Sequence, residues 1–173
     1  MTTAGAVFSP NHLDRGTQVL LSHVPDPPTT GVFLDLGCGW GPITLALADA
    51  APEATVLAVD VNERAVDLTA RNTSAAGLGN VRALTADDLL AELRSSGLKV
   101  DLIWSNPPVR IGKEALHSLL LTWLALLSDK GEAWFVVQKN LGADSLMAWL
   151  NSQSWSATRA ASSKGFRILH VHR

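Results

Sequence analysis

The stretch Val32-Phe33-Leu34-Asp35-Leu36-Gly37-Cys38-Gly39-Trp40-Gly41-Pro42 decides how this chain is read. An apolar run breaks into three alternating glycines, and an apolar-periodic segment, residues 43–50, follows Pro42. That order reads as a buried strand, a glycine loop and a helix, the place where open α/β proteins bind adenine-containing cofactors. A dinucleotide fingerprint requires glycine at the first, third and sixth places, and the sixth here is Pro42. The pattern present is acid-x-Gly-x-Gly-x-Gly. Gly37 and Gly39 permit positive φ and a close approach of backbone to ligand. Asp35, at the strand's end, can hold a carboxylate toward a cationic amino group.

Outward from that loop, strand-like and helix-like segments alternate. Strands are expected at Val32–Leu36, Thr55–Asp60, Val81–Thr85, Val100–Ser105 and residues 133–137. Residues 43–50, 63–76, 88–95 and 113–127 carry apolar positions at three- and four-residue intervals and read as helices. Pro52, Gly77-Leu78-Gly79-Asn80, Gly97 and Asp129-Lys130-Gly131 mark loops. The alternation predicts a mostly parallel sheet with right-handed crossovers and helices on both faces. A last helix, 145–151, precedes residues 156–160 and 167–171, which pair as an antiparallel hairpin at one edge and bring the sheet to seven strands. The 173 residues fit one domain, 1–173, able to bury ~70% of its unfolded surface without metal or disulfide support.

In such a sheet ligands sit outside the carboxyl ends of the strands, where strand order reverses. Asp35, Asp60, Asp87 and Asn106 fall at or just past four strand ends, which places them along one rim. Asp60 lies 23 residues after Gly37, the spacing of an acid that accepts from ribose hydroxyls. It can equally cap the helix at 63–76, as can Asn62. Val61 offers an apolar side chain for an adenine ring. Asp87 or Asp88 can accept from the adenine amino group or cap the helix that follows. After the fourth strand comes Asn106-Pro107-Pro108-Val109. Its prolines fix φ and remove two donors, so the loop is expected to present carbonyl oxygens without folding back on itself. The Asn106 side-chain oxygen and the Pro107 carbonyl can then accept both hydrogens of a planar amine and aim its lone pair.

The glycine loop resembles that of class I S-adenosylmethionine-dependent methyltransferases. Asn106-Pro107-Pro108-Val109 resembles the Asn-Pro-Pro-aromatic motif of members acting on exocyclic amines of adenine or guanine, or on glutamine amide. Phe8-Ser9-Pro10-Asn11-His12-Leu13-Asp14-Arg15-Gly16-Thr17 and Gly165-Phe166-Arg167 are similar to segments of the small methyltransferase domain family. That family includes the ribosomal RNA guanine-N2 methyltransferases and stand-alone archaeal and bacterial relatives. The resemblance implies a Rossmann-like methyltransferase fold and S-adenosylmethionine as cofactor. The implied cofactor contacts are Phe8, Asp14, Gly16, Thr17, Asp35, Gly37, Cys38, Gly39, Gly41, Asp60, Val61, Asn62, Asp87, Asp88 and Asn106. Catalysis falls to Asn106, Pro107, Pro108 and Val109. Residues 1–30 would close the cofactor site, 31–105 form the cofactor half and 106–173 the substrate half. Without the resemblance, Asp14 or Thr17 reads as the cap of a helix. The implied substrate is guanine N2 or adenine N6 of structured RNA. A protein glutamine or a non-catalytic scaffold is the alternative. Val109 lacks the ring that would stack on a flipped base, and Trp40 and Trp104 are candidates to replace it.

Composition adds limits. Residues 1–105 hold 6 Lys/Arg and 12 Asp/Glu, whereas residues 106–173 hold 8 and 4, so an acidic first part precedes a basic second one. Asp144 is the last acid. Arg110, Lys113, Lys139, Arg159, Lys164 and Arg167 can therefore face RNA phosphates, or merely balance the acidic half. The lone Cys38 excludes an intramolecular disulfide and reads as packing. His170 and His172 share a strand face without a third ligand, so no metal is expected, and His117 reads as a core histidine. No signal-like start or membrane-length apolar run is present, which leads to the expectation of a soluble cytoplasmic protein. So small a chain would read RNA with help from a homodimer, another subunit or the ribosome.

Overall fold

The computed structural model describes residues 13–173. Phe8 and most of the segment before Asp14 lie outside the described residues. The strands are β1 (Val32–Leu36), β2 (Thr55–Asp60), β3 (Val81–Thr85), β4 (Val100–Ser105), β5 (Leu127–Gln138), β6 (Ser156–Ser163) and β7 (Phe166–His172). They form one sheet in the order β3-β2-β1-β4-β5-β7-β6. β1 to β5 are parallel, and β7 runs antiparallel between β5 and β6. Strand order reverses between β1 and β4, so a crevice opens above that pair. The helices are α1 (Arg15–His23), α2 (Pro42–Ala50), α3 (Glu63–Ala75), α4 (Ala86–Ser96), α5 (Lys113–Leu124) and α6 (Ala143–Ser152).

The central strands read as near-continuous apolar runs because both of their faces are covered. Phe33, Val56, Leu102, Trp104, Val136 and Ile168 pack on the side of α1 and α2. Leu34, Leu57, Val59, Ile103, Phe135 and Leu169 pack on the opposite side with α4, α5 and α6. Thus the alternation in each strand serves two cores, and the loops above the β1–β4 crevice rest on both.

Several boundaries differ from the sequence expectation, and the larger shifts have local reasons. α5 stops at Leu124 rather than 127, and β5 begins at Leu127 rather than 133. Val100 pairs with Leu127 but Leu102 pairs with Glu132, so residues 128–131 bulge within the strand. The stretch Asp129-Lys130-Gly131 has loop composition because it forms that bulge. A Cβ on Gly131 would lie 2.9 Å from the Val100 carbonyl oxygen, so the close crossing requires glycine. Asp101 binds the bulge to the sheet, accepting from Ser128 Oγ and from the Val32 amide, both at 2.9 Å. α4 starts at Ala86 because Thr85 is its N-cap, accepting from the Asp88 amide at 3.3 Å. Asp87 and Asp88 are therefore exposed first-turn residues and not caps. The edge hairpin is longer than expected, with Lys164 and Gly165 at positive φ between Ser163 and Phe166. Two such residues form the tight turn whose twist suits a hairpin.

Candidate functional site

The glycine loop is held by β2 and α3. The Gly37 and Cys38 amides both donate to the Val59 carbonyl at 2.9 Å. Gly37, Gly39 and Gly41 have φ of +81°, +57° and +101°. A Cβ on Gly37 or Gly39 would meet nothing within 4 Å, so these two glycines leave open space above the loop. Gly41 differs: its Cβ would lie 3.1 Å from Thr69 of α3, and its glycine serves helix packing. Thr69 Oγ1 donates to the Gly39 carbonyl at 2.9 Å, and Asn72 Nδ2 donates to the Trp40 carbonyl at 2.7 Å. Sequence reasoning missed this pair. Its signal is polar residues three apart on the inner face of an amphipathic helix, beside buried Thr73. Cys38 is buried, and burial pushes its thiol up to about 12. It is a packing residue, as expected.

Asp60 ends β2 with each carboxylate oxygen engaged once. Oδ2 accepts from the Gly39 amide at 3.1 Å and Oδ1 from the Asn62 amide at 3.0 Å. Each oxygen retains a lone pair for a further donor. The cap of α3 is Asn62, which accepts from the Arg64 amide at 3.0 Å, so Asp60 is free of that duty. Val61 is 85% exposed although apolar, and together with Gly37, Asp60 and Ala86 it lines a cavity of about 180 Å³. Leu119 and Trp123 of α5 close its far wall. Asp87 and Asp88 do not line it; Ala86 occupies the place expected of them.

Asp35 is not on the rim. Its side chain is fully buried beneath the loop, where Thr44 Oγ1 donates to Oδ2 at 2.6 Å and Oδ1 has no partner. Burial pushes its carboxyl up to about 7, against the opposing effect of the Thr44 hydrogen bonds. Its register partner on β4 is Trp104, whose Nε1 is also buried without a partner. Two orphaned polar atoms thus share one face of neighbouring strands. Trp104 is 4% exposed, so it cannot serve as a stacking platform.

Asn106 stands at the wall between two cavities. It lines the one beside Gly37 and Asp60 and a second, of about 360 Å³, bordered by Asp14, Pro107, Arg110, Gln138 and Phe166. Ser105 anchors the strand end by donating to the Leu36 carbonyl at 2.6 Å. Asn106 Nδ2 donates to Asp14 Oδ2 at 2.7 Å and to Thr17 Oγ1 at 3.2 Å. A carboxylate only accepts, so Asp14 fixes which end of the amide faces it and leaves Oδ1 as the free acceptor. Asp14 also caps α1 through the Thr17 amide at 3.2 Å. The helix-cap reading of Asp14 holds, and the same carboxylate borders the larger cavity rather than the one beside Gly37 and Asp60. Gly16 lies among these groups, its virtual Cβ 3.0 Å from Asp14 Oδ2 and 3.2 Å from Asn106 Nδ2. One expectation is corrected: the loop does fold back. The Val109 amide donates to the Pro107 carbonyl at 2.9 Å around Pro108 at φ −76°, ψ 77°, an inverse γ-turn. Proline at the turn's centre favours that geometry, so one lone pair of Pro107 is already used.

The family model for the methyltransferase small domain matches residues 1–170. The chain belongs to the methyltransferase small domain family. It is a methyltransferase that uses S-adenosylmethionine, as the family's members do. The chain is 34% identical to the uncharacterized Bacillus subtilis (strain 168) protein YbxB, covering 97% of this chain and 83% of that one. It is 37% identical to the ribosomal RNA small subunit methyltransferase C of Shewanella sp. (strain MR-4), covering 78% of this chain but only 39% of the relative. The fold is that of the T. thermophilus 16S ribosomal RNA N2 G1207 methyltransferase, solved with AdoMet and guanosine. There the TM-score is 0.72 at 21% identity, covering 96% of this chain and 45% of that one.

The residues present fit S-adenosylmethionine. The open space over Gly37 and Gly39, the spare lone pairs of Asp60, the exposed Val61 and the orphaned Asp35 Oδ1 each suit one part of it. Among the described residues no group of His, Cys, Asp and Glu can hold a metal ion, and no helix is long and apolar enough to cross a membrane. His170 instead places Nε2 2.7 Å from Glu132 and stacks on Trp134. His117 stacks on Trp149 at 3.5 Å, and burial, with Lys113 nearby, holds it below the usual imidazole range. Arg110 borders the 360 Å³ cavity, Lys113 lies on an adjoining pocket, and Lys164 lies beside His23. Arg167 has an acidic neighbour, Asp144 Oδ1 at 3.7 Å from its Nε, and its side chain is only 14% exposed.

Proposed function

We propose that this chain methylates an exocyclic amine of guanine or adenine in structured RNA, with Asn106 as the residue that orients the amine. One observation carries the reading: Asn106 borders both cavities while Asp14 and Thr17 hold its amide nitrogen, so Oδ1 is the free acceptor at their junction. S-adenosylmethionine supplies an electrophilic methyl group on a sulfonium. The chain's own task is to position and to exclude water. Asn106 Oδ1 accepts one amine hydrogen, and the remaining lone pair of the Pro107 carbonyl accepts the other. Both bonds draw the nitrogen lone pair out of conjugation and fix its direction. No general base is needed, because the amine becomes acidic as its bond to carbon forms.

The RNA substrate is supported by the ribosomal RNA methyltransferases among the relatives and by Arg110 at the mouth of the larger cavity. The chain spans only 39% of those enzymes' own length. Tritium transfer from labelled S-adenosylmethionine to RNA from cells lacking the protein tests the proposal, with mass spectrometry of the nucleosides naming the product. Transfer to a methylated purine is the expected result. Cofactor binding without transfer to RNA overturns it.

A further inference from the structure

We propose that Phe166 is the stacking platform for the substrate's ring, replacing the aromatic residue that Val109 lacks, and that it selects a purine over a glutamine amide. This rests on the purine reading above. Phe166 is the first residue of β7 and borders the 360 Å³ cavity together with Asn106 and Pro107. A single point, the virtual Cβ of Gly16, lies 3.1 Å from Phe166 Cε1 and 3.2 Å from Asn106 Nδ2, so ring and amide are within about 6 Å of each other. A planar base whose amine meets Asn106 has its ring within stacking range of such a neighbour, since aromatic pairs interact at roughly 4.5–7 Å between centroids.

The ring is also well fixed. Phe166 is paired on both sides, with Gln138 of β5 and Ser163 of β6. It directly follows the Lys164-Gly165 turn, whose Gly165 carbonyl accepts from the Lys139 amide at 2.8 Å. Its edge rests on Gly16, where no side chain could fit without displacing it. A platform on a strand paired on both sides keeps its place better than one on the Asn-Pro-Pro loop, where Val109 is half-buried and turned into a short 3-10 segment. Trp104 is buried away from the cavity, and Trp40 does not line it. Glutamine has no ring to stack, so this residue adds nothing to the recognition of an amide side chain.

The test compares Phe166→Leu, which keeps an apolar side chain without a ring, with Phe166→Tyr, which keeps the ring. Each is assayed as the full chain on protein-free ribosomal RNA from cells lacking the enzyme. Stacking that is equal in ground and transition states appears in KM rather than kcat. Phe166→Leu is expected to raise the KM for RNA about 5- to 150-fold, with S-adenosylmethionine binding unchanged by calorimetry. Phe166→Tyr stays close to the wild type. The base protons of guanosine monophosphate titrated into protein loaded with S-adenosylhomocysteine should shift upfield with wild type and Phe166→Tyr, and not with Phe166→Leu. A Phe166→Leu enzyme with wild-type KM, or equal losses in both variants, overturns the inference while leaving the RNA substrate intact. A wild-type enzyme that modifies protein glutamine and not RNA overturns the substrate reading and this inference with it.

Discussion

Replacing Asp35 by Asn should stabilise the protein, and by an amount that grows with pH. Burial raises the Asp35 carboxyl from 3.8 to about 7, with a single Thr44 side-chain bond and no partner for Oδ1. Between those two values the native state holds a proton that the unfolded chain has released. Stability therefore falls as pH rises through that window, because the slope follows the difference in bound protons. The contribution of the neutral acid is fully present below 3.8 and is lost by about pH 7. A rise of that size, at about 1.36 kcal/mol for each pH unit, gives roughly 4 kcal/mol, an upper figure, since water reaching the orphaned oxygen would lessen it. The carboxamide that Asp35→Asn introduces cannot ionise, and it keeps an acceptor for Thr44. Urea unfolding of both proteins at pH 4.5, 6, 7 and 8 measures the difference. The curves should differ by only about 1 kcal/mol at pH 4.5 and separate by up to ~4 kcal/mol at pH 8, with Asp35→Asn the more stable. Parallel curves would refute the reasoning. If the carboxylate serves the cofactor's ammonium group, the stabilised variant should also bind S-adenosylmethionine about 10-fold more weakly or worse, the worth of a charge-assisted bond.

Other substitutions separate the remaining roles. Asn106→Ala should lower kcat about 100-fold or more through misorientation of the amine, with a much smaller change in S-adenosylmethionine affinity by calorimetry. Equal loss of both would tell against an orienting role. Gly16→Ala puts a methyl 3.0–3.2 Å from Asp14, Phe166 and Asn106. It should cost ~1–3 kcal/mol in thermal unfolding and reduce transfer more than cofactor binding; wild-type turnover would count against the crowding. Asp60→Ala should weaken cofactor binding by about 10-fold or more and leave kcat at saturating cofactor little changed. Cys38 should resist iodoacetamide at pH 8 in the native state, its thiol being pushed up to about 12, and react only in denaturant. Rapid native labelling would show that the loop opens.

Much of this fold is written in local pattern. The glycine spacing after β1, the apolar runs of β1 to β4 and the helical periods between them depend on neighbours within a few residues, and they led to the observed order of elements. The bulge at 128–131 was illegible, because its cause is the Val100 carbonyl on another strand, some thirty residues away. The capping of α4 was misplaced by one turn, since Thr85 competes with Asp87 and Asp88 and only the backbone angles choose among them.

The site divides in the same way. By itself the sequence determined which residue types could meet a cationic adenine cofactor and an amine, since acid, glycine and Asn-Pro-Pro carry their chemistry in covalent structure and spacing. Only tertiary structure decided where each one points. Asp35 turned inward toward Thr44 and Trp104, while Asp60 stayed at the cavity and Asp14 came across 92 residues to hold the amide of Asn106. Burial and hydrogen-bond geometry are properties of packed neighbours, and distant segments become neighbours only when the sheet has brought them together.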